Sequence, residues 1–136
     1  MERQKILYVD DMEECFNRTL EIFGNKYEID WVDTPLEAIK TIKKDISQYS
    51  AAIFDVNLSY DPSKPDNEQT AEGLELIAML RKEANKQGVY LPIFCVSSNN
   101  NRESALERGA NEFMWKKEFW FGKGKQKLEE YLKAKI

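Results

Sequence analysis

The sequence predicts an α/β domain built on a parallel sheet, and three observations lead there. Short apolar runs recur at Ile6 to Val9, Tyr27 to Val32, Ala51 to Phe54, Leu91 to Val96 and Glu112 to Trp115. Between them lie stretches with helical spacing, and that alternation is the mark of βαβ units. The chain, at 136 residues with 42% apolar and 12% aromatic side chains, can fill one core, so one domain over residues 1–136 is expected. No internal repeat and no low-complexity tract interrupts the pattern.

Each element has its own justification. The first helix should turn Met12, Cys15, Phe16, Leu20 and Phe23 inward and stop near Gly24. The second opens at Thr34-Pro35-Leu36-Glu37. There Thr34 can cap, Pro35 suits the first turn and Glu37 can close a capping box. Leu36, Ile39, Ile42 and Ile46 then share a face. Leu74, Ile77 and Leu80 mark a third helix, Leu106 and Ala110 a fourth, and Leu128, Tyr131 and Leu132 a last one. Five strands and five helices fit this length. Ser59 to Thr70, SYDPSKPDNEQT, is longer than an ordinary βα loop.

Composition narrows the function. Charges are interspersed and sum to −4, so no basic stripe is available to track a phosphate backbone and direct nucleic-acid binding is not expected. The opening MERQKILYVDD has charge where a signal peptide needs an apolar stretch, and no run is long enough to span a bilayer. The expected location is the cytoplasm. Cys15 and Cys95 lack disulfide or metal-ligand spacing and read as buried small hydrophobes. With no histidine in the chain, Ser-His and Cys-His devices are excluded, and chemistry falls to carboxylates, lysines and hydroxyls.

In an open parallel sheet, ligands bind outside the carboxyl ends of the strands. The residues closing the runs there are Asp10 and Asp11, Asp55 followed by Asn57, Ser97 and Ser98, and Lys116 and Lys117. A strand-end aspartate alone is commonly a turn or cap residue. Three carboxylates converging on one rim, however, repel one another and raise each other's pKa unless a cation is bound. A hard divalent ion with oxygen ligands, Mg²⁺ above all, relieves that cost. A lysine and a hydroxyl opposite would complete a pocket for a tetrahedral anion.

KILYVDD, AAIFDVN, LPIFCVSS and ERGANEFMWK stand in the order and approximate spacing of a known family. The chain resembles a response-regulator receiver domain of the stand-alone, chemotaxis-regulator-like kind, over nearly its whole length. The resemblance implies a flavodoxin-like (βα)5 three-layer sandwich with strand order 2-1-3-4-5. It implies that Asp55 accepts a phosphoryl group, and that Asp10, Asp11, Asp55 and the carbonyl of Asn57 hold Mg²⁺. Ser97 would swing toward the phosphoryl group, Lys116 would pair with one of its oxygens, and Phe113 would rotate with Ser97 as a switch.

The expected function is a signalling switch of a two-component His-Asp phosphorelay, not an enzyme with a separate catalytic domain, that slowly dephosphorylates itself. Its donor would be a histidine kinase or phosphotransfer protein. Because the chain ends with its last helix, its output would be a separate downstream protein effector. The alternative is a phosphorylation-independent interaction module of receiver-like fold. A phosphohydrolase with an aspartyl-phosphate intermediate is disfavoured, since Asn57 stands where such an enzyme needs a proton-transferring acid. The chain departs from the family at Lys117, where proline is common, so a trans bond and an altered loop after the fifth strand are expected. The loop from Ser59 to Glu72, bearing Asp61, Asp66 and Glu68, is longer than usual, and two readings stand for it: an idle solvated loop, or one that shapes kinase recognition or phosphoryl lifetime. The stretch from Ser97 to Lys116 is short, predicting an abbreviated fourth helix. Trp115, Phe119, Trp120 and Phe121 divide between core and a docking face.

Overall fold

The computed structural model describes residues 3–55, 72–98 and 102–134. Its strands are β1 (Lys5–Val9), β2 (Glu28–Val32), β3 (Ala51–Asp55), β4 (Ile93–Ser97) and β5 (Glu112–Trp115). They interleave with helices α1 (Glu13–Phe23), α2 (Pro35–Lys44), α3 (Glu72–Gln87), α4 (Arg102–Glu107), α5 (Lys116–Phe121) and α6 (Gly124–Ala134), and a 3-10 turn lies at Ile46–Gln48. All strand pairs are parallel and the order is β2-β1-β3-β4-β5, as the resemblance implied. The long loop from Ser59 to Thr70 lies outside the described residues.

Strand pleating sorts the core into two layers, because successive side chains point to opposite faces. Leu7, Val9, Phe54, Cys95 and Phe113 face α2, α3 and α4. Ile6, Tyr8, Phe94, Val96 and Met114 face α1, α5 and α6. The sheet is thus the middle of three layers. On α2 the Thr34 hydroxyl accepts from the Glu37 N–H at 3.1 Å, the cap foreseen from sequence, while the Glu37 carboxylate lies 3.7 Å from Lys40. Ile42 and Ile46 are buried and Ile39 packs against them.

Three local expectations need correction. On α1 the inward line is Cys15, Thr19 and Phe23, whereas Met12 and Leu20 are 48% and 44% exposed. Positions four apart share a face, so the buried stripe passes through a threonine in place of Leu20. On α4, Ala105 is buried and Leu106 is exposed. The last helix is broken: α5 is capped by Gly122 and α6 starts at Gly124, giving six α-helices among the described residues where five were expected. Gly124 approaches the Phe119 carbonyl so closely that an added Cβ would sit 1.9 Å from its oxygen, and no other residue fits that reversal unchanged.

The start of β5 is fixed by Arg81 on α3, which donates to the Gly109 carbonyl at 3.0 Å and to Asn111 Oδ1 at 2.5 Å. Asn111 Oδ1 also accepts from the Ile93 N–H at 2.8 Å, tying β5 to β4. Gly109 has φ +109°, and an added Cβ would meet Arg81 Cγ at 2.8 Å, so glycine is required on both counts. The described part of α4 runs from Arg102 to Glu107, and the residues before it lie outside the described ones. No described peptide bond is cis, so Lys116 and Lys117 are joined in trans as expected.

Candidate functional site

Strand order carries four side chains of three chemical kinds to one rim. Asp10 follows β1, Asp55 closes β3, Ser97 closes β4 and Lys116 opens α5 directly after β5. Because β1, β3, β4 and β5 are consecutive neighbours, these residues line up across the carboxyl edge. Asp10, Asp55 and Ser97 are essentially buried, and Asp11 beside them is exposed. Asn57 lies outside the described residues.

Lys116 Nζ donates to Asp55 Oδ2 at 2.9 Å, lies 3.8 Å from Asp10 Oδ2 and approaches Cys15 Sγ at 3.5 Å. Burial pulls the ammonium's pKa down, but Asp55 and Asp10 more than offset that and hold it above its ordinary value. Asp10 behaves in the opposite sense. Burial and the Asp55 charge push its carboxyl from 3.8 up to about 6, against the pull of Lys116, the Met12 N–H and Tyr8.

Asp10 is held from several sides. Its Oδ1 accepts from the Met12 N–H at 3.0 Å, so the turn role common for a strand-end aspartate is also filled. Its Oδ2 accepts from the Tyr8 hydroxyl at 2.8 Å, and its main-chain carbonyl accepts from Trp31 Nε1 at 2.8 Å. Burial and the adjacent Asp10 charge push the Tyr8 phenol far above its usual range, so it remains a donor. Cys15 and Cys95 are both buried thiols, as the sequence indicated. Burial first, and then nearby carboxylate charge, raises both, Cys95 to about 12.

Sequence reasoning did not single out Tyr8, Trp31 or Thr19. The available signal was the strand period: Tyr8 stands two residues before Asp10, and its register partner on β2 is Trp31. Phe113 is buried on the other face of the sheet, edge-on to Trp115 at 5.7 Å, with the Arg102 guanidinium 5.1 Å from its ring centre. Of the C-terminal aromatic set, Phe119 is core, Trp120 is half-buried, and Trp115 and Phe121 are exposed.

The donor set suits a hard divalent cation. Asp10, Asp11 and Asp55 each offer a carboxylate oxygen, and these oxygens lie within 4.8 Å of one another. Three carboxylates against one ammonium leave a formal charge of −2 when all are ionised, which one divalent ion cancels.

No family model matches the chain, and no curated protein matches it. Solved structures do. A CheY-like response-regulator receiver domain protein from Methanospirillum hungatei JF-1 is 24% identical with a TM-score of 0.68, over 98% of this chain and 99% of that one. The receiver domain of a sensor histidine kinase from Pseudomonas aeruginosa PAO1, solved with magnesium in its active-site cleft, is 20% identical with a TM-score of 0.73, over 96% and 98%. The chemotaxis protein CheY4 of Vibrio cholerae is 18% identical with a TM-score of 0.69, over 96% and 98%. With its five-stranded parallel sheet in the order 2-1-3-4-5 and helices on both faces, the chain has the flavodoxin-like fold of the response-regulator receiver domains.

Proposed function

We propose that residues 1–136 form a single receiver domain that accepts a phosphoryl group on Asp55 and acts as a switch in a His-Asp phosphorelay. The observation that carries this reading is the Asp55–Lys116 pair at 2.9 Å inside a three-carboxylate rim, on a fold shared with receiver domains. Asp10, Asp11 and Asp55 would hold Mg²⁺, which supplies charge neutralisation of the entering phosphoryl group and of the carboxylates around it. The Asn57 carbonyl is a further ligand in this proposal.

The Asp55 carboxylate attacks the phosphorus of a phosphohistidine. An O–P bond forms, the N–P bond breaks, and the imidazole leaves with the electron pair and takes up a proton. Lys116 then exchanges its pairing with the Asp55 oxygen for one with a phosphoryl oxygen, and the Ser97 hydroxyl donates to another. Positioning and preorganised charge account for the step, since the protein performs little covalent work beyond the attack. Movement of Ser97 and Phe113 would then alter a surface read by a separate protein effector.

The test uses a purified phosphotransfer protein labelled on histidine as donor. Label should pass to this chain in Mg²⁺, and should stay on the donor when Asp55 is replaced by asparagine or Mg²⁺ is chelated. Transfer that ignores both changes would overturn the assignment of Asp55. No transfer would favour the phosphorylation-independent interaction module.

A further inference from the structure

Helices α2 and α3 pack side by side and leave between them a surface groove of about 440 Å³. Its apolar lining is Ile39 and Ile42 from α2 and Met79 from α3. Ile42 is buried and Ile39 half-buried, whereas Met79 is 42% exposed. Each helix returns from the carboxyl edge of one parallel strand toward the start of the next, so the last turns of α2 and α3 lie toward the sheet edge opposite Asp10 and Asp55. The groove is therefore a surface separate from the acidic rim.

Three lysines line the same groove, Lys43 from α2 and Lys82 and Lys86 from α3. All three are exposed, and none of them pairs with a carboxylate among the described residues. Lys43 and Lys86 have an ordinary reason to stand where they do, since each is in the last turn of its helix, where a cation offsets the negative end of the dipole. Lys82 has no such reason: it lies a turn earlier, and like charges four residues apart repel. The carboxylate that lines the groove, Glu83, accepts from Gln87 Nε2 at 2.9 Å and neutralises none of the three. Three ammonium groups against one carboxylate leave the lining with a formal charge of +2, on a chain whose net charge is −4. On α3, positions 79, 82, 83 and 86 follow the i, i+3, i+4, i+7 spacing of one helix face, so the apolar and cationic groups run along a single line.

We propose that the α2–α3 groove docks an acidic amphipathic helix of a partner protein, its apolar face against Ile39, Ile42 and Met79 and its carboxylates toward Lys43, Lys82 and Lys86. A helix laid in a groove reads it through anchors three and four residues apart, and flanking charges of opposite sign speed the encounter and fix the register. Between Met79 and Lys86 the α3 axis rises by about 10 Å, so contact covers two turns of the partner and the affinity is modest. A concave lining favours a rod over a flat surface: an anionic bilayer could meet the exposed lysines but could not reach buried Ile42 between the two helices. Docking here does not depend on phosphorylation of Asp55.

The experiment titrates the isotope-labelled full chain with synthetic helical peptides of about 14 residues, four turns, and follows its amide resonances. One peptide carries leucines along one face and glutamates on both flanks; in a second the leucines are alanines; in a third the glutamates are lysines. The first should shift the amides of residues 39–43 and 79–86 with a Kd of about 10–500 μM, several-fold weaker when salt is raised from about 50 to 300 mM. The alanine peptide should bind at least about tenfold more weakly, since it lacks the anchors. Joint Lys82→Glu and Lys86→Glu, changes at exposed positions, should weaken the glutamate peptide about tenfold or more and make the lysine peptide the better ligand. Equal binding of the leucine and alanine peptides, shifts confined to another face, an affinity indifferent to the charge reversal, or no binding of the leucine–glutamate peptide below about 1 mM would each overturn the proposal. Vesicles containing phosphatidylserine are the remaining arm: if they bind the chain through Lys82 and Lys86 while the peptides do not, the surface is a membrane contact and the proposal fails.

Discussion

Asp10 gives the rim a pH dependence whose sign is opposite to that of an ordinary paired carboxylate. Its folded pKa, about 6, lies above the ordinary 3.8 because burial and Asp55 disfavour its charge. A group raised in this way contributes stability below the unfolded value and loses it as pH rises through the folded one. In a chelator, the protein should therefore lose of the order of 1–3 kcal/mol between pH 4 and 7 through this residue. Asp10→Asn should flatten that part of the profile, measured as urea midpoints across the range. An unchanged slope would mean that Asp10 ionises at no cost. At this scale the carboxylates were legible in the sequence, because they close two apolar runs whose carboxyl ends share one rim of a parallel sheet, a convergence that a turn or cap role does not call for. Tyr8 and Thr19 were not: a hydroxyl inside an apolar strand or helix face reads as one more core residue until its partners are known.

The elements were legible where burial alone shapes them. The strands lie within two residues of the apolar runs, since a parallel sheet covered on both faces is apolar throughout. Helix faces were less so. On α1, Thr19 takes the inward position because the Cys15 carbonyl and Trp120 satisfy its hydroxyl, and Leu20 is left outside. The glycines at 122 and 124 were present as a signal for a break, but aromatic and leucine spacing on either side masked it. The break decides which aromatics are structural. Phe119 stacks on Phe23 at 4.9 Å and is buried, so Phe119→Ala should cost about 3–5 kcal/mol. Phe121→Ala, at an exposed position, should change stability by no more than about 0.5 kcal/mol. Urea denaturation of the two variants checks both, and equal losses would mean that Phe121 is also part of the core.

At the scale of the molecule, strand order makes the site. Apolar alternation predicts a parallel sheet but is silent on which strands are neighbours, and the order came from the resemblance. With β1, β3, β4 and β5 adjacent, residues separated by up to 106 positions meet at one edge, and Lys116 reaches across to Asp55 and Asp10. Strand pleating sends Phe113 to one face of the sheet and Tyr8 to the other, so a single acidic rim adjoins two separate layers of side chains. Nothing in the spacing of the motifs foretold that division, because it depends on which pleat each residue occupies. The central claim is that this rim makes Asp55 a Mg²⁺-dependent phosphoacceptor. It is tested most directly by the intact mass of the wild type and of Asp55→Asn after incubation with acetyl phosphate, with Mg²⁺ or with a chelator. One phosphoryl adduct on the wild type in Mg²⁺, and none in the other samples, is the predicted result. An adduct that survives loss of Asp55, or its absence from folded wild-type protein in Mg²⁺, would contradict the claim.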